Sequence, residues 1–82
     1  MKHLATFWSR YDALPKDVRV LADKRFALAK ADRTHPSLHF KKLGKVWSAW
    51  VGAHYRALAL EVEGGYLWVW IGTRAEYDKL HA

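Results

Sequence analysis

Residues 55–71 read Tyr-Arg-Ala-Leu-Ala-Leu-Glu-Val-Glu-Gly-Gly-Tyr-Leu-Trp-Val-Trp-Ile. In the first half, Leu58, Leu60 and Val62 alternate with Tyr55, Ala57, Ala59 and Glu61. That is the period of two that a pleated strand imposes on its side chains. Gly64 and Gly65 form a turn that tolerates positive φ, so the chain doubles back. The returning half places Leu67, Val69 and Ile71 on one face and Tyr66, Trp68 and Trp70 on the other. The stretch predicts a β-hairpin of strands 55–62 and 66–71.

Moving toward the N-terminus, residues 46–51 and 38–42 also look extended. Residues 32–37 form a loop, in which Pro36 pushes His35 out of helical geometry. Earlier still the period changes. Leu14, Val18, Leu21, Arg25 and Leu28 trace one helical stripe, with Ala22 and Ala29 beside it. This predicts a helix over 15–31, with Pro15 in its first turn and Asp17 favouring the dipole there. Phe7, Tyr11 and Leu14 predict a shorter helix over 6–14, with Thr6 as N-cap. Beyond the hairpin, Thr73-Arg74-Ala75-Glu76 has the capping-box pattern and opens a short helix over about 74–80. Helices followed by strands predict an α+β domain with the helices on one sheet face. No repeat, linker or low-complexity tract divides the chain, so residues 1–82 are expected to be one domain.

So small a domain buries only about 60–65% of the surface of its unfolded chain, and its core must be dense in large side chains. Five Trp, four Tyr and three Phe supply them and argue against disorder. The absence of cysteine excludes disulfides and thiolate metal sites. No signal-peptide pattern and no apolar run of spanning length is evident, so a cytoplasmic location without membrane contact is expected. The net charge of +6 is uneven. Residues 33–60 carry five basic side chains and no acid, whereas residues 61–82 carry two basic and four acidic. A basic middle segment suits a polyanion such as RNA, or an acidic protein.

The chemistry-bearing residues gather around the last helix. Arg74 and Tyr77, three apart, are neighbours on its surface. Arg56 comes from the strand that pairs with the one leading into that helix. Lys41, Lys42 and Lys45 come from the strand and loop before. This cationic and phenolic set fits phosphate binding, or RNA cleavage. Cleavage needs a base for the 2′-hydroxyl, a cation at the developing phosphorane and an acid for the 5′-oxygen. A Lys or His serves as base if neighbouring cations lower its pKa. Each residue also has a structural reading: a strand Arg often pairs with a carboxylate, and Tyr77 can simply cover the core. Trp68 and Trp70 would be base-stacking platforms if exposed, and core if both sheet faces are covered. The five His are scattered and lack metal-ligand spacing; His35 and His39 merely flank Pro36.

Four stretches together resemble the RelE/ParE superfamily of toxins. They are Leu-Pro-Lys-Asp-Val-Arg from Leu14, His-Pro-Ser-Leu-His-Phe-Lys-Lys-Leu from His35, Trp-Ser-Ala-Trp-Val-Gly-Ala-His-Tyr-Arg-Ala-Leu from Trp47, and Trp-Val-Trp-Ile-Gly-Thr-Arg-Ala-Glu-Tyr-Asp-Lys-Leu from Trp68. The likeness, running from about Leu14 to Leu80, is to the cytotoxic translational repressor subgroup of type II toxin–antitoxin systems. It implies a helical hairpin packed on a three- to four-stranded twisted antiparallel sheet, with a short C-terminal helix. The family's usual first strand is not evident in the short segment before the first helix.

The resemblance also implies partners and roles. Many such toxins cut mRNA in the ribosomal A site and so repress translation; others poison DNA gyrase without cleaving nucleic acid. All are expected to be neutralised by an antitoxin whose acidic or amphipathic segment wraps the toxin. Arg56 matches a phosphate-stabilising arginine, Tyr77 a C-terminal tyrosine, and Arg74 a position held by His or Arg and acting as general acid. Lys41 and Lys42 match a basic stretch near the substrate groove, and Lys45 extends it. A metal-independent mRNA endoribonuclease (mRNA interferase) acting with ribosome and mRNA, and needing no cofactor, is the expected activity. One departure matters: relatives read Trp-Ser-Val-Arg-Val where this chain reads Trp-Ser-Ala-Trp-Val. Trp50 therefore replaces a cation; it can stack on a base but supplies no charge. This predicts attenuated cleavage. It leaves open a non-catalytic inhibitor of a gyrase-type target and a degenerate protein that binds only antitoxin.

Overall fold

A computed structural model describes residues 2, 3 and 5–80. In chain order the elements are β1 (Lys2–His3), α1 (Ala5–Asp12), α2 (Lys16–Ala31), a 3₁₀ turn (Pro36–Leu38), β2 (Lys41–Leu43), β3 (Val46–Val51), β4 (Tyr55–Val62), β5 (Gly65–Thr73) and α3 (Arg74–Leu80). The sheet order is β1-β5-β4-β3-β2, with β2 to β5 antiparallel and β1 parallel to β5. The fold is α+β as expected. The first strand is present but only two residues long, pairing Lys2 with Leu67 and His3 with Trp68.

The hairpin contains one irregularity that decides which side chains enter the core. Leu58 pairs with Trp70 but Ala59 pairs with Trp68, so Val69 is the extra residue of a β-bulge. A bulge inverts the facing of everything beyond it. Tyr66, Trp68 and Ile71 therefore point into the core, whereas Trp70 points to the other face with Leu67. The strict alternation expected over 66–71 fails at this point. Trp68 is fully buried and packs on Phe26 with ring centroids 4.4 Å apart, so it is a core residue and not a stacking platform.

The helix-facing side of the sheet presents Ala49, Ala57 and Ala59 under the aromatics. Their small side chains leave room for Phe7 of α1 and Phe26 and Ala29 of α2, all buried. Phe26, not Arg25, lies on the buried stripe of α2. Several aromatic polar groups are satisfied, as burial requires. Tyr11 donates to Asp23 at 2.7 Å, Trp47 Nε1 donates to Glu61 at 3.0 Å, and Arg33 donates to the Tyr66 hydroxyl at 2.7 Å.

Element boundaries shift for identifiable reasons. Helix α1 starts at Ala5, so Thr6 lies inside its first turn and is not the N-cap. Pro15 sits at the N-cap of α2 rather than within it, with its carbonyl accepting from the Arg19 N–H at 3.0 Å. The expected strand over 38–42 is shortened because Pro36 opens a 3₁₀ turn, capped by the His35 side chain accepting from the Ser37 N–H. That turn closes on His39 in the left-handed region, φ 44°. Among the described residues, no helix is long and apolar enough to cross a membrane.

Candidate functional site

Sheet register assembles the site on the face away from α1 and α2. Trp50 of β3 is directly opposite Arg56 of β4, which is opposite Gly72 of β5. Extending the β2–β3 register by two residues sets His39 opposite Trp50. Residues opposite one another share a face, so His39, Trp50, Arg56 and Gly72 form one row across the sheet. The His39 and Trp50 rings stack at 3.8 Å with planes 22° apart, and the Arg56 guanidinium carbon lies 4.0 Å from the Trp50 ring. The indole is thus held between imidazole and guanidinium, its two cross-strand neighbours.

Arg56 is only 4% exposed. Its Nη1 donates to the carbonyls of Gly52, Ala53 and Tyr55 at 3.3, 3.2 and 2.9 Å. The guanidinium therefore pins the β3–β4 turn while lying against Trp50. The turn favours glycine at position 52: φ is 70°, which L side chains rarely adopt, and a Cβ there would stand 2.8 Å from Leu21 Cδ2, which would have to shift. Burial, followed by the positive charge of Arg74, lowers the Arg56 pKa; Asp78 and Tyr77 oppose the change. An arginine stays charged throughout the accessible range. What matters is that Arg74, Tyr77 and Asp78 all surround Arg56 closely enough to act on it.

Helix α3 is fixed to this end of the sheet by three contacts. The Thr73 N–H and hydroxyl meet Glu76 Oε1 at 2.9 and 3.1 Å, and the Glu76 N–H donates to Thr73 Oγ1 at 3.1 Å, completing the capping box. The Arg74 N–H donates to the His54 carbonyl at 2.8 Å, joining α3 to the β3–β4 turn. Arg10 of α1 reaches across, donating through Nε to the Ile71 carbonyl at 2.7 Å and pairing with Glu76 at 2.8 Å while lying 4.8 Å over the Trp70 ring. The hydrogen bonds from Thr73, then the one from Arg10, hold the Glu76 carboxyl below its usual pKa. The Glu76 carboxylate thus lies at the start of α3 and accepts from the Thr73 N–H there.

The structure brings Arg56, Arg74, Tyr77 and Trp50 together, with Lys41 on the same face one row away, opposite Ser48. It does not bring in the other lysines. Lys42 faces the helix side, 6.0 Å from the Trp47 ring, and Lys45 lies in the β2–β3 turn at the far end of β3 from Trp50. Arg74 is well exposed, its side chain 66% accessible, with Asp78 at 4.0 Å. A shallow cleft of about 420 Å³ runs along His54, Tyr55, Thr73, Arg74, Ala75 and Asp78. A larger one of about 670 Å³, between the end of α2 and the β4–β5 turn, holds none of the candidate residues.

Two participants escaped the sequence reading. His39 was legible only as one of several scattered histidines; its parity with Lys41 on an adjoining strand is the signal that could have placed it. Arg10 carried no signal, because its partners lie more than 60 residues away in sequence.

No family model and no curated protein sequence matches the chain. Solved structures do. A chain of the RelB–RelE antitoxin–toxin complex from Methanococcus jannaschii superposes with a TM-score of 0.78 at 13% identity, covering 100% of both chains. The isolated RelE toxin of E. coli superposes with a TM-score of 0.67 at 8% identity, over 98% of this chain and 93% of that one. Over its whole length, the chain has the fold of the RelE toxins.

Proposed function

We propose that this protein is the toxin of a type II toxin–antitoxin pair, acting as a ribosome-dependent mRNA endoribonuclease whose cleavage is attenuated by Trp50. The observation that carries this reading is the convergence of Arg56, Arg74 and Tyr77 at one end of the sheet face turned away from α1 and α2, within the fold of the RelE toxins. In the proposed roles, Arg74 is the exposed cation that meets the phosphate, and Tyr77 lies beside it to hold the leaving group. Arg56 supplies positive potential from beneath the surface, and Lys41 grips the backbone one row away. As the 2′-oxygen bonds to phosphorus, its proton passes to water, since none of these side chains is assigned as base. As the bond to the 5′-oxygen breaks, Tyr77 protonates that oxygen. Slow cleavage fits such a set, and the chemistry requires no cofactor. A cognate antitoxin with an acidic or amphipathic segment is the proposed protein partner, on the basis of the basic middle segment and the likeness to a toxin solved with its antitoxin.

A second reading, a non-catalytic inhibitor or a protein that binds only antitoxin, is favoured by one feature. Arg56 is 4% exposed, its Nη1 is already engaged by backbone carbonyls and its face is covered by Trp50, so it presents little to a phosphate. Mapping mRNA ends on programmed ribosomes, with this protein and with Trp50→Arg, tests both. Cleavage by both, or by the Trp50→Arg form alone, supports the nuclease reading, the latter outcome with full attenuation. Folded proteins that both fail to cut would remove it and leave the second reading, which a DNA supercoiling assay then divides.

A further inference from the structure

We propose that the Trp50 indole is a nucleobase-stacking subsite for single-stranded RNA and that His39 is its gate. The inference takes its ligand class from the function proposed above and adds the position of the base and the residue that controls entry.

The two faces of the indole are held very differently. On one side Arg56 is 4% exposed and bonded to three carbonyls, so it is a fixed backing. It sets the plane of the ring in advance, which lowers the ordering cost of anything that stacks on the other side. On that other side lies His39, an exposed residue. Among the described residues its imidazole makes no side-chain hydrogen bond or ion pair; the stack on Trp50 is what places it. Its backbone is anchored separately, by the N–H bond to the Pro36 carbonyl and the left-handed turn at φ 44°. The ring can therefore rotate away without disturbing the fold.

An imidazole stacked at 3.8 Å and 22° occupies the place of a planar heteroaromatic base. Every nucleobase offers such a face, so this subsite tolerates sequence. Cations stand where the attached phosphates would run: Lys41 two residues along on the same face, and Arg74 exposed beyond Arg56. With the base on Trp50, the ring of His39 is displaced toward solvent.

The test measures binding of a short labelled oligouridylate to the isolated protein at fixed ionic strength. His39→Gly is the diagnostic variant, because glycine keeps the left-handed backbone and removes the ring. It is expected to bind about threefold tighter, the order set by losing one competing exposed stack. Trp50→Leu is expected to bind at least about fivefold more weakly. The double variant should match Trp50→Leu, since no gate matters once the platform is gone. Unchanged or weaker binding by His39→Gly, or a gain that persists without Trp50, would overturn the proposal. Should Trp50→Leu fail to fold, a fluorescent purine analogue in the RNA decides: quenching that deepens in His39→Gly supports stacking, and equal emission with both proteins overturns it. Ribosomal cleavage plays no part in these readings. A chain that cuts mRNA yet shows no gating loses only this proposal, and one that gates a base without cutting loses only the nuclease.

Discussion

Arg56 carries two demands at once. Its strand position aims it at the face turned away from α1 and α2, yet the β3–β4 turn curls back so that its guanidinium meets three carbonyls within hydrogen-bonding reach. A buried cation bonded in this way contributes to stability as well as to potential. We therefore expect Arg56→Ala to destabilise the fold by about 2–4 kcal/mol, because it leaves carbonyls unpaired and uncovers Trp50. Arg56→Lys should fall between, keeping charge but not the planar stack. Urea unfolding with an unchanged slope checks this. A midpoint equal to that of the parent would show the guanidinium to be functional only. The partners are backbone carbonyls of the adjoining turn and not the carboxylate that a strand arginine often finds. Strand parity reveals which face a residue takes, but not whether the following turn will fold over it.

At the scale of elements, α3 depends on a local device and on a distant one. The capping box was legible from the spacing of Thr73 and Glu76, because both partners lie within one helical turn. The Arg10–Glu76 pair and the Arg10 bond to Ile71 were not, since only the packing of α1 against β5 brings Arg10 there. Glu76 links the two. Its folded pKa is depressed, so its stabilising contribution is present above the usual glutamate value near 4.5 and is lost as pH falls through the lower folded value. We expect α3 amide protection to weaken as the solution is acidified below that usual value, and Glu76→Gln to remove much of this dependence. Hydrogen exchange followed against pH measures both; an unaltered pH profile in Glu76→Gln would assign the titration to another group. The carboxyl is half-exposed, so the effect belongs to the fraying of α3 and not to global unfolding.

Across the whole molecule, the sheet separates packing from chemistry. One face is filled by α1 and α2 over Trp68, Phe26 and the alanines. The other carries the row from His39 to Gly72 and the start of α3. The +6 charge is concentrated in the segment that supplies this second face, though Lys42 and Lys45 are directed elsewhere. The cationic surface on this face is therefore smaller than the lysine count suggests. For two or three phosphate contacts on a single strand, log affinity should fall against log salt with a slope of about −1 to −2. A salt titration of RNA binding measures it, and a flat response would remove RNA as the partner of this face.

The amino-acid sequence by itself determined the order and type of the main elements, the existence of a tight hairpin turn within 55–71, and the capping box; the turn itself falls one residue earlier than expected, on Glu63 and Gly64, with Gly65 already paired to Val62. Each is written in contacts a few residues long, where periodicity and turn chemistry decide the outcome. The tertiary structure alone decided the bulge at Val69, and with it which of Trp68 and Trp70 is core, because an extra residue is accepted only where the partner strand and the helix layer require it. It alone also placed His39 against Trp50, sank Arg56 beneath the surface and carried Arg10 to Glu76. Those contacts join residues from strands and helices far apart in the chain, and the packing that brings them together leaves no local periodicity to read.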